Sequence, residues 1–184
     1  EILMIHGDGF YLKKNISLFV IVLLLLIIFS GCIEKNQNIQ ENKVIIKGKD
    51  GVYSSIMEAI GESDNGDIII VGKGTYNEKI SIYKSISLIG EKKEKTIVNA
   101  AGDGDCIYVT SDFVTISGFT IKNSGNKSYS LYDSGIDLRS NNNTLYDNIV
   151  KNNNFGIYMH KSSNNTLYDN QILDNNYGLY FDGS

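Results

Sequence analysis

The sequence of 184 residues has no proline and no tryptophan, only two cysteines and two histidines, and a single arginine among its seventeen basic residues. Two cysteines cannot supply a disulfide framework, and with two histidines they leave little for a zinc cage. Positive charge is not in excess either: the formal net charge is -4, which argues against a phosphate-tracking protein and against nucleic acid as a partner. Nor does any apolar run reach the roughly 20 residues that a helix needs to cross the hydrocarbon layer. Without proline, turns must come from other residues, and the chain carries 18 glycines and 21 asparagines, 14 of the latter between Asn123 and Asn176. Many turns are therefore expected. A hydrophobic content of 42% excludes a mostly disordered chain.

The N-terminus reads as an address. Lys13 and Lys14 precede the unbroken apolar run Leu18 to Phe29, which ends in Ser30-Gly31-Cys32; this is the order of basic, hydrophobic and small segments in a secretory signal. The ending is similar to the lipobox of prokaryotic lipoproteins, a resemblance that implies lipid on Cys32; the alternative is an uncleaved signal anchor. Either reading places the remainder outside the cytoplasm, attached to a membrane. The sequence opens on Glu1, so residues 1–31 are taken as the signal with Met4 as a candidate start. Residues 32–43 form a polar tether, residues 44–66 an N-terminal cap, and residues 67–184 the repeat region. In the cap, Val44 to Ile46 is a strand candidate, and Tyr53 to Ile60 predicts a short helix with Ile56, Ala59 and Ile60 on one face, stopped at Gly61. Cys106 is expected to be a buried, unreactive hydrophobe.

From Asp67 onward, short branched segments alternate with glycine and asparagine: Ile68 to Val71, Ile80 to Ile82, Ile86 to Ile89, Thr96 to Val98, Ile107 to Val109, Val114 to Ile116 and Phe119 to Ile121. Asn143-Thr144-Leu145-Tyr146-Asp147-Asn148 then recurs as Asn165-Thr166-Leu167-Tyr168-Asp169-Asn170, an offset of 22. Gly156-Ile157-Tyr158-Met159 likewise returns as Gly178-Leu179-Tyr180-Phe181. Three short strand segments in so short a period fit a parallel β-solenoid, all β, with about five coils stacked at about 4.8 Å. Ile136, Ile157 and Leu179 should form one inward column and Leu138, Met159 and Phe181 another. Asn148 and Asn170 should stack at a bend in left-handed conformation and bond adjacent coils. Gly125 to Asp133 reads as an insertion, and the chain closes after the Leu179 strand as though it were the N-terminal portion of a longer solenoid.

On these repeats the sequence resembles right-handed parallel β-helix proteins of pectin-lyase-like topology, specifically the NosD-like surface proteins of archaea and bacteria. Tyr53 to Ile60, Gly66 to Val71 and Gly74-Thr75-Tyr76 share in the resemblance, which covers about residues 44–184 and implies a helix capping the first coil. The family includes polysaccharide lyases, hydrolases, carbohydrate binders and a copper-enzyme maturation protein, so fold alone does not choose among them.

Arg139, His160 and Asp182 occupy equivalent outward positions in three successive coils and are the catalytic candidates, able to hold a carboxylate or polarise a base. Asp137, Tyr158 and Tyr180 form a candidate sugar-binding column, and Tyr146 with Tyr168 a second pair. No cofactor or metal is expected. Asp133, Asp137 and Arg139 are the one cluster on which calcium could be considered, and His160, Met57 and Met159 are not spaced as copper ligands. Asn126, Asn142 and Asn164 begin glycosylation sequons. The expectation is a non-catalytic, envelope-attached structural or carbohydrate-binding module. The alternative is a polysaccharide lyase or glycoside hydrolase, and a copper-enzyme maturation factor stands behind both.

Overall fold

The computed structural model describes residues 42–126 and 132–183. The signal, the lipidation of Cys32 and most of the tether lie outside them. No helix among the described residues is long and apolar enough to cross a membrane.

The repeat region winds through five coils, each contributing one strand to each of three sheets. The first sheet holds β1 (Val44–Ile46), β2 (Ile68–Val71), β5 (Ser87–Gly90), β8 (Thr115–Ser117), β11 (Thr144–Tyr146) and β14 (Thr166–Tyr168). The second holds β3 (Gly74–Tyr76), β6 (Thr96–Asn99), β9 (Thr120–Lys122), β12 (Ile149–Lys151) and β15 (Gln171–Leu173). The third holds β4 (Ile80–Ile82), β7 (Ile107–Val109), β10 (Ser134–Leu138), β13 (Phe155–His160) and β16 (Tyr177–Asp182). Pairing between coils is parallel throughout; only β1 runs antiparallel, against β2.

The expected inward columns are present. Ile80, Ile107, Ile136, Ile157 and Leu179 lie in register, as do Ile82, Val109, Leu138, Met159 and Phe181. Branched residues suit this stacking because each side chain packs on its equivalent one coil away, giving one continuous apolar ladder. At the N-terminal end α1 (Ile56–Glu62) covers the first coil with Ile56, Ala59 and Ile60, all fully buried. It is capped twice: Ser55 Oγ accepts from Glu58 N at 3.0 Å, and the Glu78 carboxylate accepts from Ile56 N and Met57 N at 3.0 and 3.1 Å. Contrary to expectation, Gly61 lies within the helix and Ser63 ends it, its hydroxyl returning to the Ile60 carbonyl at 2.8 Å.

The corners explain the strands. Phe113, Gly118 and Asn123 have positive φ, and so do Asn142, Asp147 and Asn152 in the next coil and Asn164, Asp169 and Asp174 in the one after. The sequence expectation of strands beginning at Val114 and Phe119 is therefore one residue early: each follows a left-handed residue and is spent on the corner. The left-handed residue is also Asp147 or Asp169, with φ of 52° and 54°, and not Asn148 or Asn170. The asparagine supplies the side-chain bonds instead. Asn148 Oδ1 accepts from Phe119 N at 3.2 Å, while its Nδ2 donates to Ile116 O at 2.9 Å and Asn170 Oδ1 at 3.1 Å. Asn143 with Asn165 and Asn153 with Asn175 repeat the arrangement, their Nδ2 to Oδ1 distances both 3.0 Å.

Candidate functional site

Strand alternation directs Ser81, Tyr108, Asp137, Tyr158 and Tyr180 outward from the third sheet in one register column. Two residues further along each strand, His160 pairs with Asp182, and Arg139 follows the Leu138 and Met159 pair. The catalytic candidates thus share one face, but they divide into two hydrogen-bonded units.

The first unit is Asp137 with Arg139. Arg139 Nε donates to both Asp137 oxygens at 3.1 Å and Nη2 to Oδ2 at 2.9 Å, while the guanidinium also lies 5.4 Å from the centre of the Tyr108 ring. Asp137 is buried, and that burial raises its pKa even though Arg139 opposes the shift. Arg139 keeps 41% of its side chain exposed. Both Asp137 oxygens are engaged by the guanidinium, and among the described residues no group of three or more His, Cys, Asp or Glu side chains is disposed to hold a metal.

The second unit is His160 with Asp182 and Tyr158. Asp182 Oδ2 lies 3.0 Å from His160 Nδ1 and accepts from the Tyr158 hydroxyl at 3.0 Å. These bonds, Tyr158 first and His160 next, lower the Asp182 pKa. An ionised carboxylate only accepts, so Nδ1 carries the hydrogen and Nε2 is the nitrogen turned away from Asp182. This is an oriented imidazole at the surface; the repeat placed His160 beside Asp182, and the structure adds the bond between them and the third partner, Tyr158.

The tyrosine column is less open than its alternation suggests. Tyr158 is only 2% exposed. Tyr132 stacks on it at 5.0 Å and 12°, and Tyr180 at 5.7 Å and 26°. Two rings thus stack on it, so it is not open to a ligand. On the first sheet Tyr146 and Tyr168 stack at 5.0 Å with 1° between planes, so they too spend ring faces on each other.

Asp105 escaped the sequence reading. Its Oδ1 accepts from Ser134 N at 2.6 Å, and burial, with Asp137 and Asp133 nearby, pushes its pKa up to about 7. The longer early coils hide its relation to Asp137. Cys106 is buried and its thiol is pushed up to about 12 by burial. Of the sequon asparagines, Asn126, Asn142 and Asn164 are exposed, the last two at left-handed corners; Lys127 and Ser128 lie outside the described residues.

Comparison with solved structures gives a pectin methylesterase from Yersinia enterocolitica at 18% identity and a TM-score of 0.52, covering 61% of this chain and 46% of that one. A pectin methylesterase in complex with a hexasaccharide aligns at 12% identity with a TM-score of 0.47, over 64% of this chain and 49% of the other. The chain thus spans about half the length of these proteins, and the first likeness is one of fold. No curated protein matches the sequence. Residues 73–184 match the family described as right handed beta helix region. This is more than half of the chain, which therefore belongs to that right-handed β-helix family.

Proposed function

We propose that the chain is an exported polysaccharide-acting protein, a hydrolase whose working surface is the outward side of the third sheet. Within this reading the N-terminal segment holds it at the envelope through lipid on Cys32, and its nearer kin are the NosD-like surface proteins. The observation that carries the reading is the placement of the Asp182-oriented His160 beside the Asp137-bound Arg139 on one face. In its neutral form His160 takes at Nε2 the proton of a water that attacks the anomeric carbon; the glycosidic C–O bond breaks, Arg139 donates a hydrogen bond to the departing oxygen as negative charge develops there, and that oxygen takes its proton from solvent, while Asp182 holds the imidazole in the required tautomer. A sugar-directed activity in a protein of the same fold agrees with this by analogy.

A second reading, a non-catalytic carbohydrate-binding or structural module, is favoured by the burial of Asp137 and Tyr158. Incubating the full chain with a polysaccharide panel, with and without calcium, and recording retention, new reducing ends and new unsaturated ends decides between them. Hydrolysis predicts reducing ends, lost by about 100-fold or more in His160→Gln. Retention without turnover would establish the binding module, and unsaturated ends would indicate a lyase.

A further inference from the structure

The corner between the third sheet and the first carries a side chain that folding does not ask for. Phe113 has a φ of 60° and is 67% exposed. The left-handed region crowds Cβ against the backbone, and a bulky aromatic residue is an outlier there. Asn142 takes the same place one coil on, and Asn164 in the coil after, with φ of 58° and 57°; asparagine tolerates that conformation. The backbone bond is also the same: Phe113 N donates to Asn141 O at 3.3 Å, as Asn142 N does to Ser163 O at 3.1 Å. The turn therefore does not need the ring. Tyr83, 52% exposed, lies at the same corner one coil earlier. It follows Ile82, which is in register with Val109 and Leu138, so it stands at the strand-end position that Arg139 holds two coils on. Chain packs on both sides of this corner: Lys84 reaches back to the Ile60 and Ser63 carbonyls at the end of α1, and Ser85 donates to Asp112 O in the next coil at 2.7 Å.

An exposed ring held in a strained backbone conformation points to a contact outside the chain. Two single rings are too little for a stable protein partner, which covers roughly 800 Å² on each side. They match sugar rings in size: the C–H face of a pyranose stacks on an aromatic face, and its hydroxyls can bond the exposed amide of Asn142, next to Phe113 in the column. We infer that Phe113 and Tyr83 form a saccharide-binding subsite at this corner, bordering the third sheet, on which pyranose rings of a polysaccharide stack. The inference rests on the polysaccharide part of the proposed function and not on hydrolysis.

The test is retention of the full chain on immobilised galactan, β-glucan and polygalacturonate, at low salt and at about 0.5 M NaCl, beside a thermal melt of each variant. Phe113→Asn, which installs the residue of the following coils, should melt no lower than wild type and yet bind the retained polymer about fivefold more weakly or worse; Tyr83→Ala should weaken binding similarly. Stacking carries no charge, so wild-type retention should survive the added salt. His160→Gln should lose the new reducing ends and keep retention, which separates this subsite from the hydrolytic reading. Undiminished retention of Phe113→Asn and Tyr83→Ala would overturn the inference and leave that reading intact, and so would retention abolished by salt. A wild-type dimer that Phe113→Asn dissolves, with retention unchanged, would overturn it in favour of a protein contact. Retention of none of these polymers, nor of any in the wider panel, would remove the reading and the inference together.

Discussion

Asn148 shows how much one side chain can carry in this fold. It is fully buried, and its amide satisfies Phe119 N, Ile116 O and Asn170 in a single plane of bonds between coils. Asn148→Leu leaves at least two buried backbone groups without partners, each worth about 1–3 kcal/mol, so urea denaturation should show a loss of about 3 kcal/mol. An unchanged midpoint would contradict this role. Asp105 gives a pH dependence of opposite sense to an ordinary paired carboxylate. Its folded pKa of about 7 exceeds the unfolded value of about 3.9, so the folded chain binds the extra proton. Stability from this group is fully present below about pH 4, falls as pH rises towards 7 and then levels off. Asp105→Asn should flatten that slope relative to wild type, by an amount on the order of a few kcal/mol; parallel melting curves of the two proteins from pH 4 to 8 would contradict it. The outward alternation of Arg139, His160 and Asp182 was readable from the repeat, as was the burial of Cys106. The bond from Arg139 back to Asp137, two residues away on its own strand, was not, because alternation places side chains on a face without choosing their partners.

At the scale of the element, the close approach of the next coil requires glycine at Gly156. A Cβ there would lie 2.4 Å from the Gly178 carbonyl oxygen and 2.9 Å from both Asn175 Nδ2 and Ile172 Cγ2. Gly156→Ala therefore forces strands β13 and β16 apart and should cost about 1–3 kcal/mol; an unchanged thermal melt would contradict the packing argument. The inward columns of the last three coils were legible because offsets of 21 and 22 residues align them directly. The corners were only partly so. Asn143, Asn148 and Asn153 follow one another at steps of five, as do Asn165, Asn170 and Asn175, and this spacing could have revealed the three ladders. In the earlier coils Phe113 and Gly118 hold the left-handed positions and asparagine is absent from the following ones, so the pattern fades and strand starts there were read one residue early.

Across the whole molecule, the solenoid brings together residues that the sequence keeps apart. Asp105 and Asp137 belong to neighbouring coils separated by the Gly125 to Asp133 insertion, and Tyr132, which covers Tyr158, comes from the end of that insertion. A strict repeat cannot forecast either contact, since an insertion has no equivalent in the adjoining coils. The fold could therefore be deduced from periodicity, while the accessibility of its candidate site depends on a departure from it. The working surface we propose consists of Tyr180, Arg139 and His160, with Tyr158 and Asp137 beneath. Chemical-shift mapping of the full chain during titration with an oligosaccharide of a polymer it retains tests this placement most directly. The account predicts that resonances of Arg139, His160 and Tyr180 move together while those of Tyr146 and Tyr168 on the first sheet stay in place; shifts confined to the first sheet, with the third unchanged, would contradict it.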